Sequence, residues 1–233
     1  MRRALLLPLL LVAGGADAQV ARTVMLSGFD RVRVDGPFAV TIRRGPRASA
    51  VVNGARASTE RVDVRVENGT LIVSGNVSAW GGSGKEPPAT VAIEAPPGTR
   101  GVSVRGGGTV RVDGIRAGRV DLAIAGSGTL SVAGAETDQL YATLTGAGRL
   151  EVAGTAARAR FLAQGTGSVD AKGLAVDDLA ISQDSVGDGA YAARRTVTIA
   201  STGVGAITVD GDAACRVTVQ RAGPVACRRD VER

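Results

Sequence analysis

The sequence predicts an all-β fold: a right-handed parallel β-helix of roughly 20-residue rungs with an N-terminal β-layer or cap. Three observations carry this expectation. A Gly-x-Gly step recurs at Gly106-Gly107-Gly108, Gly126-Ser127-Gly128, Gly146-Ala147-Gly148, Gly165-Thr166-Gly167 and Gly203-Val204-Gly205, with a vestige at Gly223-Pro224. With Gln183-Asp184-Ser185 read as a degenerate copy, the starts fall 20, 20, 19, 18, 20 and 20 residues apart. Apolar residues keep fixed offsets from that step with period-two alternation, the pattern of strands with one buried face. Valine, glycine, alanine and threonine dominate and aromatics make up only 3%, which suits short strands and tight turns better than long helices.

The elements follow in chain order. Residues 1–18 read as a secretory signal peptide: a basic start at Met1-Arg2-Arg3, an apolar run from Ala4 to Val12 broken by Pro8, and Ala16-Asp17-Ala18 before Gln19. The run falls short of the about 20 residues that a membrane-spanning helix needs, and no other segment reaches that length. No cysteine follows it, so a soluble exported chain without a lipid anchor is expected, in the periplasm or at the cell surface. Residues 19–28 form a lead. Residues 29–98 read as the β-layer. Phe29 to Val34 and Phe38 to Ile42 alternate around Asp35-Gly36-Pro37, and Glu67-Asn68-Gly69-Thr70 is a hairpin signal between Val62, Val64, Val66 and Leu71, Val73. Trp80 to Pro88 is loop-like, and strands resume at Val91 and Ile93 before Pro96-Pro97-Gly98.

Residues 99–227 carry the repeats, and 228–233 form a tail. Four and six residues after each step stand Val110 and Val112, Leu130 and Val132, Leu150 and Val152, Val169 and Ala171, Gly187 and Gly189, then Ile207 and Val209. Four and two residues before it stand Leu122 and Ile124, Ala142 and Leu144, Phe161 and Ala163, Leu179 and Ile181, then Ile199 and Ser201. Each repeat is thus two strands joined by a glycine turn, with a second turn at Gly114, Gly134, Gly154 and Gly173. A meander would not require the same inward column in every repeat, whereas a coil whose rungs sit one on another does. The rung from Gln183 to Gly189 departs from the pattern and is expected to hold a bulge or looser turn. Cys215 and Cys227 are an even pair in an exported chain, so a structural disulfide is expected, with the two on adjacent rungs.

The alternating segment from Phe29 to Gly45, then Val62-Asp-Val-Arg-Val-Glu-Asn-Gly-Thr-Leu-Ile-Val73, then repeated Gly-Ser-Gly-x-Leu-x-Val-x-Gly units, resembles the putative auto-transporter adhesin head GIN domain family. The resemblance covers roughly Phe29 to Val219. It implies a β-helical fold, a surface or periplasmic location and an adhesive role, and it brings no catalytic residues to carry over.

The absence of histidine removes Ser-His-Asp and Cys-His arrangements and the common zinc sites. Gly-x-Gly between strands, with no helix or remote acid after it, is not a phosphate cradle. A nine-residue calcium repeat does not fit a period near 20. The enzyme alternative is a β-helical polysaccharide lyase or hydrolase, which needs carboxylates converging on one face. Asp113, Asp170 and Asp210 fall on different rungs. Asp177, Asp178, Asp184 and Asp188 cluster around the irregular rung, where a solvated loop is the simpler reading.

The formal charge of +6 is almost all arginine, scattered among acids and without interleaved aromatics, which argues against nucleic acid. The outward positions three and one before the step form a ribbon of small, uncharged residues: Ala123, Ala125, Thr143, Thr145, Gln164, Ala180, Ser182, Ala200 and Thr202. Such a ribbon either packs under the N-terminal layer, the favoured reading, or is a flat contact face. The expectation is a non-enzymatic envelope protein without cofactor, acting as an adhesin or binding module toward a protein or glycan; a structural envelope component is the third alternative.

Overall fold

The computed structural model describes residues 19–75, 88–221 and 223–228. The expected signal peptide (1–18), the stretch 76–87 and tail residues 229–233 lie outside the described residues. The chain forms β1 (Gln19–Met25), β2 (Arg31–Asp35), β3 (Ala39–Arg44), β4 (Ser49–Ala55), the short helix α1 (Arg56–Glu60), β5 (Val62–Glu67), β6 (Thr70–Gly75), β7 (Thr90–Ala95) and β8 (Gly101–Gly106). There follow β9 (Thr109–Gly126), β10 (Thr129–Gly146), β11 (Arg149–Gly165), β12 (Ser168–Ala171), β13 (Leu174–Ser185), β14 (Gly189–Ala192), β15 (Thr196–Ser201), β16 (Ile207–Asp210), β17 (Ala214–Gln220) and β18 (Val225–Arg228).

From β8 onward every pairing is parallel, and each residue lies on its counterpart one rung away. Leu130 pairs with Val110 on one side and Leu150 on the other, and Val132 lies likewise between Val112 and Val152. All six are buried. Columns of this kind exist because alternate side chains on a strand face the same way, and a coil that repeats the alternation stacks like on like. The fold is a parallel β-helix with one continuous apolar core along its length.

The N-terminal strands do not lie over the side of this coil. Instead, β2 is inserted between β6 and β8, and β3 between β7 and β9, all parallel. Val34 therefore stacks between Val73 and Val104, and Val40 between Val91 and Val110. The physical reason is that the alternation in this region has the same face requirement as the repeats, so its strands serve as rungs. Among the described strands only β1, β4 and β5 run antiparallel to a neighbour, β1 on β4, β4 on β7 and β5 on β6, and α1 joins β4 to β5. Together these close the N-terminal end of the coil, as stacked repeats require.

The glycine step has two separate causes. Its first residue, at Gly126 and Gly146, has φ of 124° and 113°, a conformation that disfavours any residue with a side chain. Its last residue faces the rung beneath: a Cβ on Gly148 would stand 2.5 Å from the carbonyl oxygen of Gly128. The turns therefore stack backbone on backbone with no room for a methyl group.

The irregular rung corrects the reading of the degenerate step. Gly165 pairs with Ser185, and Gln183 with Ser201, so the turn is Ser185-Val186-Gly187 rather than Gln183-Asp184-Ser185. The inward positions after it are then Gly189 and Tyr191, which pair with Val169 and Ala171 below and with Ile207 and Val209 above. Tyr191 fills this part of the core edge-on to Phe161, with ring centroids 5.1 Å apart. Polar atoms enter the core only with partners for most of them. The Tyr191 hydroxyl donates to Gln183 Oε1 at 3.4 Å, Gln183 Nε2 donates to the Gly187 carbonyl at 2.9 Å, and the Ser185 hydroxyl donates to the Gly167 carbonyl at 2.9 Å. Burial pushes the Tyr191 phenol well above its ordinary pKa, because the anion would have no solvation there.

Cys215 and Cys227 are joined, with Cα atoms 6.5 Å apart. The bond is not between adjacent rungs. Cys215 stacks on Val197 and Cys227 on Val209, so the bridge links the two strands of the last coil, β17 and β18, in line with the apolar columns. Here, at the last described coil, a covalent bond holds the two strands together.

Candidate functional site

The outward columns of the long strands define the candidate surface. In register, one column runs Ala123, Thr143, Leu162, Ser182, Ala200, and the next runs Ala125, Thr145, Gln164, Asp184, Thr202. Ala123, Thr143, Ser182 and Ala200 are half-buried, and Ala125, Thr145, Gln164 and Thr202 are exposed. No described strand packs over them, because the N-terminal strands are stacked at the end of the coil. The expectation that the ribbon lies beneath an N-terminal layer therefore fails. The two-residue offset of the irregular rung also moves two members. Asp184 enters the ribbon as its one charged side chain, and Ala180 shifts to the neighbouring column, between Arg160 and Thr198.

That neighbouring column bounds a groove of about 330 Å³ that runs across four rungs. Its walls are Gln139 and Tyr141 on β10, Arg158 and Arg160 on β11, Asp178 and Ala180 on β13, and Thr196 and Thr198 on β15. The depression arises where side-chain length drops from Arg160 to Ala180. Tyr141 is 37% exposed, and the Arg119 guanidinium lies over its ring, 4.2 Å from the centroid. Arg119 is itself held by Asp121 at 3.0 Å. Arg195 donates to Asp178 at 2.6 Å, and the Thr196 hydroxyl donates to the other oxygen of the same carboxylate at 2.8 Å. Arg158 and Arg160 make no hydrogen bond or ion pair with any described residue. Sequence reasoning missed Tyr141, Arg158 and Arg160. Reading one more outward column, five residues before each step, would have placed Tyr141 beside Arg160.

The acids do not converge. Asp113 pairs with Arg43 at 3.1 Å, Asp170 with Lys172 at 3.9 Å, and Asp188 accepts the Ala206 N–H at 2.9 Å. Among the described residues no group of three or more acidic or cysteine side chains comes together in a metal-holding arrangement. No helix among the described residues is long and apolar enough to cross a membrane.

The fold has known counterparts. A putative adhesin from Bacteroides fragilis superimposes with a TM-score of 0.81 at 20% identity, over 92% of this chain and 98% of that one. A putative lipid binding protein from Parabacteroides distasonis gives 0.68 at 16%, covering 90% and 96%, and a putative adhesin from Parabacteroides merdae gives 0.60 at 15%, covering 90% and 95%. No curated protein matches the chain. At these identities the likeness is one of fold. The model of the putative auto-transporter adhesin, head GIN domain, matches residues 28–213, and with most of its coil inside that match the chain belongs to this family.

Proposed function

We propose that this protein is an exported, non-enzymatic binding module of the cell envelope, an adhesin in the broad sense, and that the ribbon of small side chains is its contact face. The observation that carries this is the ribbon itself. Apart from Leu162, Gln164 and Asp184, two outward columns carry only alanine, serine and threonine over five rungs, lie in register and are covered by no described strand. Side chains of alanine, serine and threonine present a flat surface, and a flat surface suits contact with a protein or glycan, whereas bond-breaking chemistry is usually done in a cleft. The family's adhesin name and the structural neighbours named as adhesins support the reading, and the disulfide supports export, since such bonds persist in oxidising compartments. Among the described residues the inward columns form one continuous apolar core along the coil, which argues against an acyl chain in the interior.

The test is Thr143→Arg, which puts a long charged side chain in the middle of the ribbon. As an uncovered surface change it should alter stability by no more than about 0.5 kcal/mol. Capture of envelope glycan or protein by the mature chain should fall. A large loss of stability would show that the ribbon packs against something in the native protein. Glycan cleavage by the purified protein, abolished by replacing Asp177, Asp178, Asp184 and Asp188, would establish the enzyme reading instead.

A further inference from the structure

The groove lined by Tyr141, Arg158, Arg160, Ala180, Thr196 and Thr198 runs along one side of the ribbon. We propose that this groove binds an acidic polysaccharide, a chain of sugars bearing carboxylates, which rests on the reading of the protein as a binding module. Three features of the groove point to that chemistry.

The first is charge. Several arginines elsewhere on the coil face acids, Arg33 with Asp35, Arg43 with Asp113, Arg65 with Asp63 and Glu67, Arg100 with Asp30, Arg116 with Glu136 and Arg119 with Asp121, and those without an acid, such as Arg111 and Arg149, do not line this groove. At the groove the one acid, Asp178, stands beside Arg158 on the next rung, but its two oxygens are taken by Arg195 and Thr196, and neither Arg158 nor Arg160 makes an ion pair with a described residue. Two guanidinium forks on one strand, two residues apart, therefore point outward with their donors unused. A planar fork matches a carboxylate bidentately.

The second is shape. The groove crosses four rungs, and strands stack about 4.8 Å apart, so its length is about 14 Å. A shallow trough of that length takes an extended polymer segment rather than a compact ligand. The third is its lining. Gln139, Thr196 and Thr198 offer hydrogen-bonding groups for hydroxyls, and Tyr141 offers part of a ring whose position Arg119 fixes from one face. A single aromatic does not make the stacking series of a nucleic-acid channel, and no row of protruding apolar side chains beside the groove would enter a bilayer.

The experiment titrates polygalacturonate into the mature chain at low ionic strength, with dextran as the uncharged polymer and phosphatidylglycerol vesicles as the anionic lipid surface. Polygalacturonate should bind at least about tenfold more tightly than dextran. Replacing both Arg158→Ser and Arg160→Ser should weaken it at least about tenfold with the melting temperature unchanged. Arg160→Lys keeps the charge and loses the fork, and should fall between. Arg111→Ser with Arg149→Ser removes the same charge from another face of the coil and should leave binding within about threefold. Equal weakening by this control pair would reduce the effect to net charge and overturn the site. So would equal binding of dextran, or vesicle binding that exceeds polymer binding and depends on Arg158 and Arg160. If polygalacturonate fails while Thr143→Arg still abolishes capture from the envelope fraction, the groove assignment falls and the contact face stands. If both fail, the binding reading itself is wrong.

Discussion

The inserted coil of β2 and β3 and the repeat body from β9 onward obey one side-chain rule and two different chain rules. In the repeat body, stacked residues are about one repeat apart, as Leu130 and Leu150 are. In the inserted coil, Arg31 stacks on Thr70 and on Gly101, partners 39 and 70 residues away. Yet the inward residues of both regions enter the same core, and Val34 is as buried as Leu130. The alternation of apolar residues thus specifies which way a side chain points, and leaves open which strand comes next along the axis. Closing a longer loop adds little to the thermodynamic cost, since that cost grows only with the logarithm of length. It does make the contacts non-local, which slows folding. One ion pair crosses the boundary, Arg43 of β3 with Asp113 of β9, but at so exposed a position it is worth at most about 1 kcal/mol. The shared core holds the regions together.

The largest expected effect tests that claim. Val40→Asp in the inserted coil and Leu150→Asp in the repeat body each place an unpaired charge in a dry column, which costs several kcal/mol. Both should lower the melting temperature of the whole protein in one cooperative transition. Glu151→Ala, on the outer side of the same strand as Leu150, should change stability by no more than about 0.5 kcal/mol. If Val40→Asp unfolded the N-terminal strands and left a second transition at the wild-type temperature, the two regions would be separate units.

The same contrast explains what the sequence made legible. The columns at Val110, Leu130 and Leu150 could be read because each repeat restates the last. The insertion of β2 and β3 could not, because Val32 and Val34 carry no mark that places their rung between Leu71 and Val102 rather than in a separate layer. The irregular rung was misread by two residues for a related reason. Gln183 and Ser185 are both polar, and only Tyr191 filling the column above Ala171 settles which of them opens the turn. The groove needed the structure because its depth comes from the step between Arg160 and Ala180 on neighbouring rungs, which depends on that same offset.

The two ends of the coil differ as its two regions do. The N-terminal end is closed by packing, with α1 lying against β1, β4 and β5, and the C-terminal end by the bond between Cys215 and Cys227. Cys215→Ser should cost about 3 kcal/mol, the figure for a short closed loop. Hydrogen exchange should quicken in β17 and β18 and stay unchanged in β4. Loss of protection at both ends would mean that the staple stabilises the coil as a unit.

A smaller effect separates the stacked turns from the lead. Gly148→Ala drives a methyl group into the Gly128 carbonyl and should cost about 1–3 kcal/mol, as overpacking does. At Gly28 a Cβ meets nothing within 4 Å, so Gly28→Ala should be near neutral. Equal costs in urea melts would mean that the turns do not stack as closely as they do here.

The smallest effect concerns the polar patch inside the repeat body, a feature that the inserted coil lacks. Tyr191→Phe keeps the ring against Phe161 and removes a hydroxyl whose single bond, to Gln183, is long at 3.4 Å. The loss at neutral pH should be about 1 kcal/mol or less. The alkaline side is more telling. The folded protein holds the phenol protonated above its ordinary value of 10.0, because burial disfavours the anion. The unfolded chain ionises at that ordinary value and then binds fewer protons than the folded one. The contribution of Tyr191 to stability is therefore complete below about pH 10 and declines as pH rises beyond it. Wild-type protein should lose stability above that pH more steeply than Tyr191→Phe, as measured by urea midpoints across the range. Parallel slopes would show that the hydroxyl reaches solvent in the native state and that this rung is open where the structure has it closed.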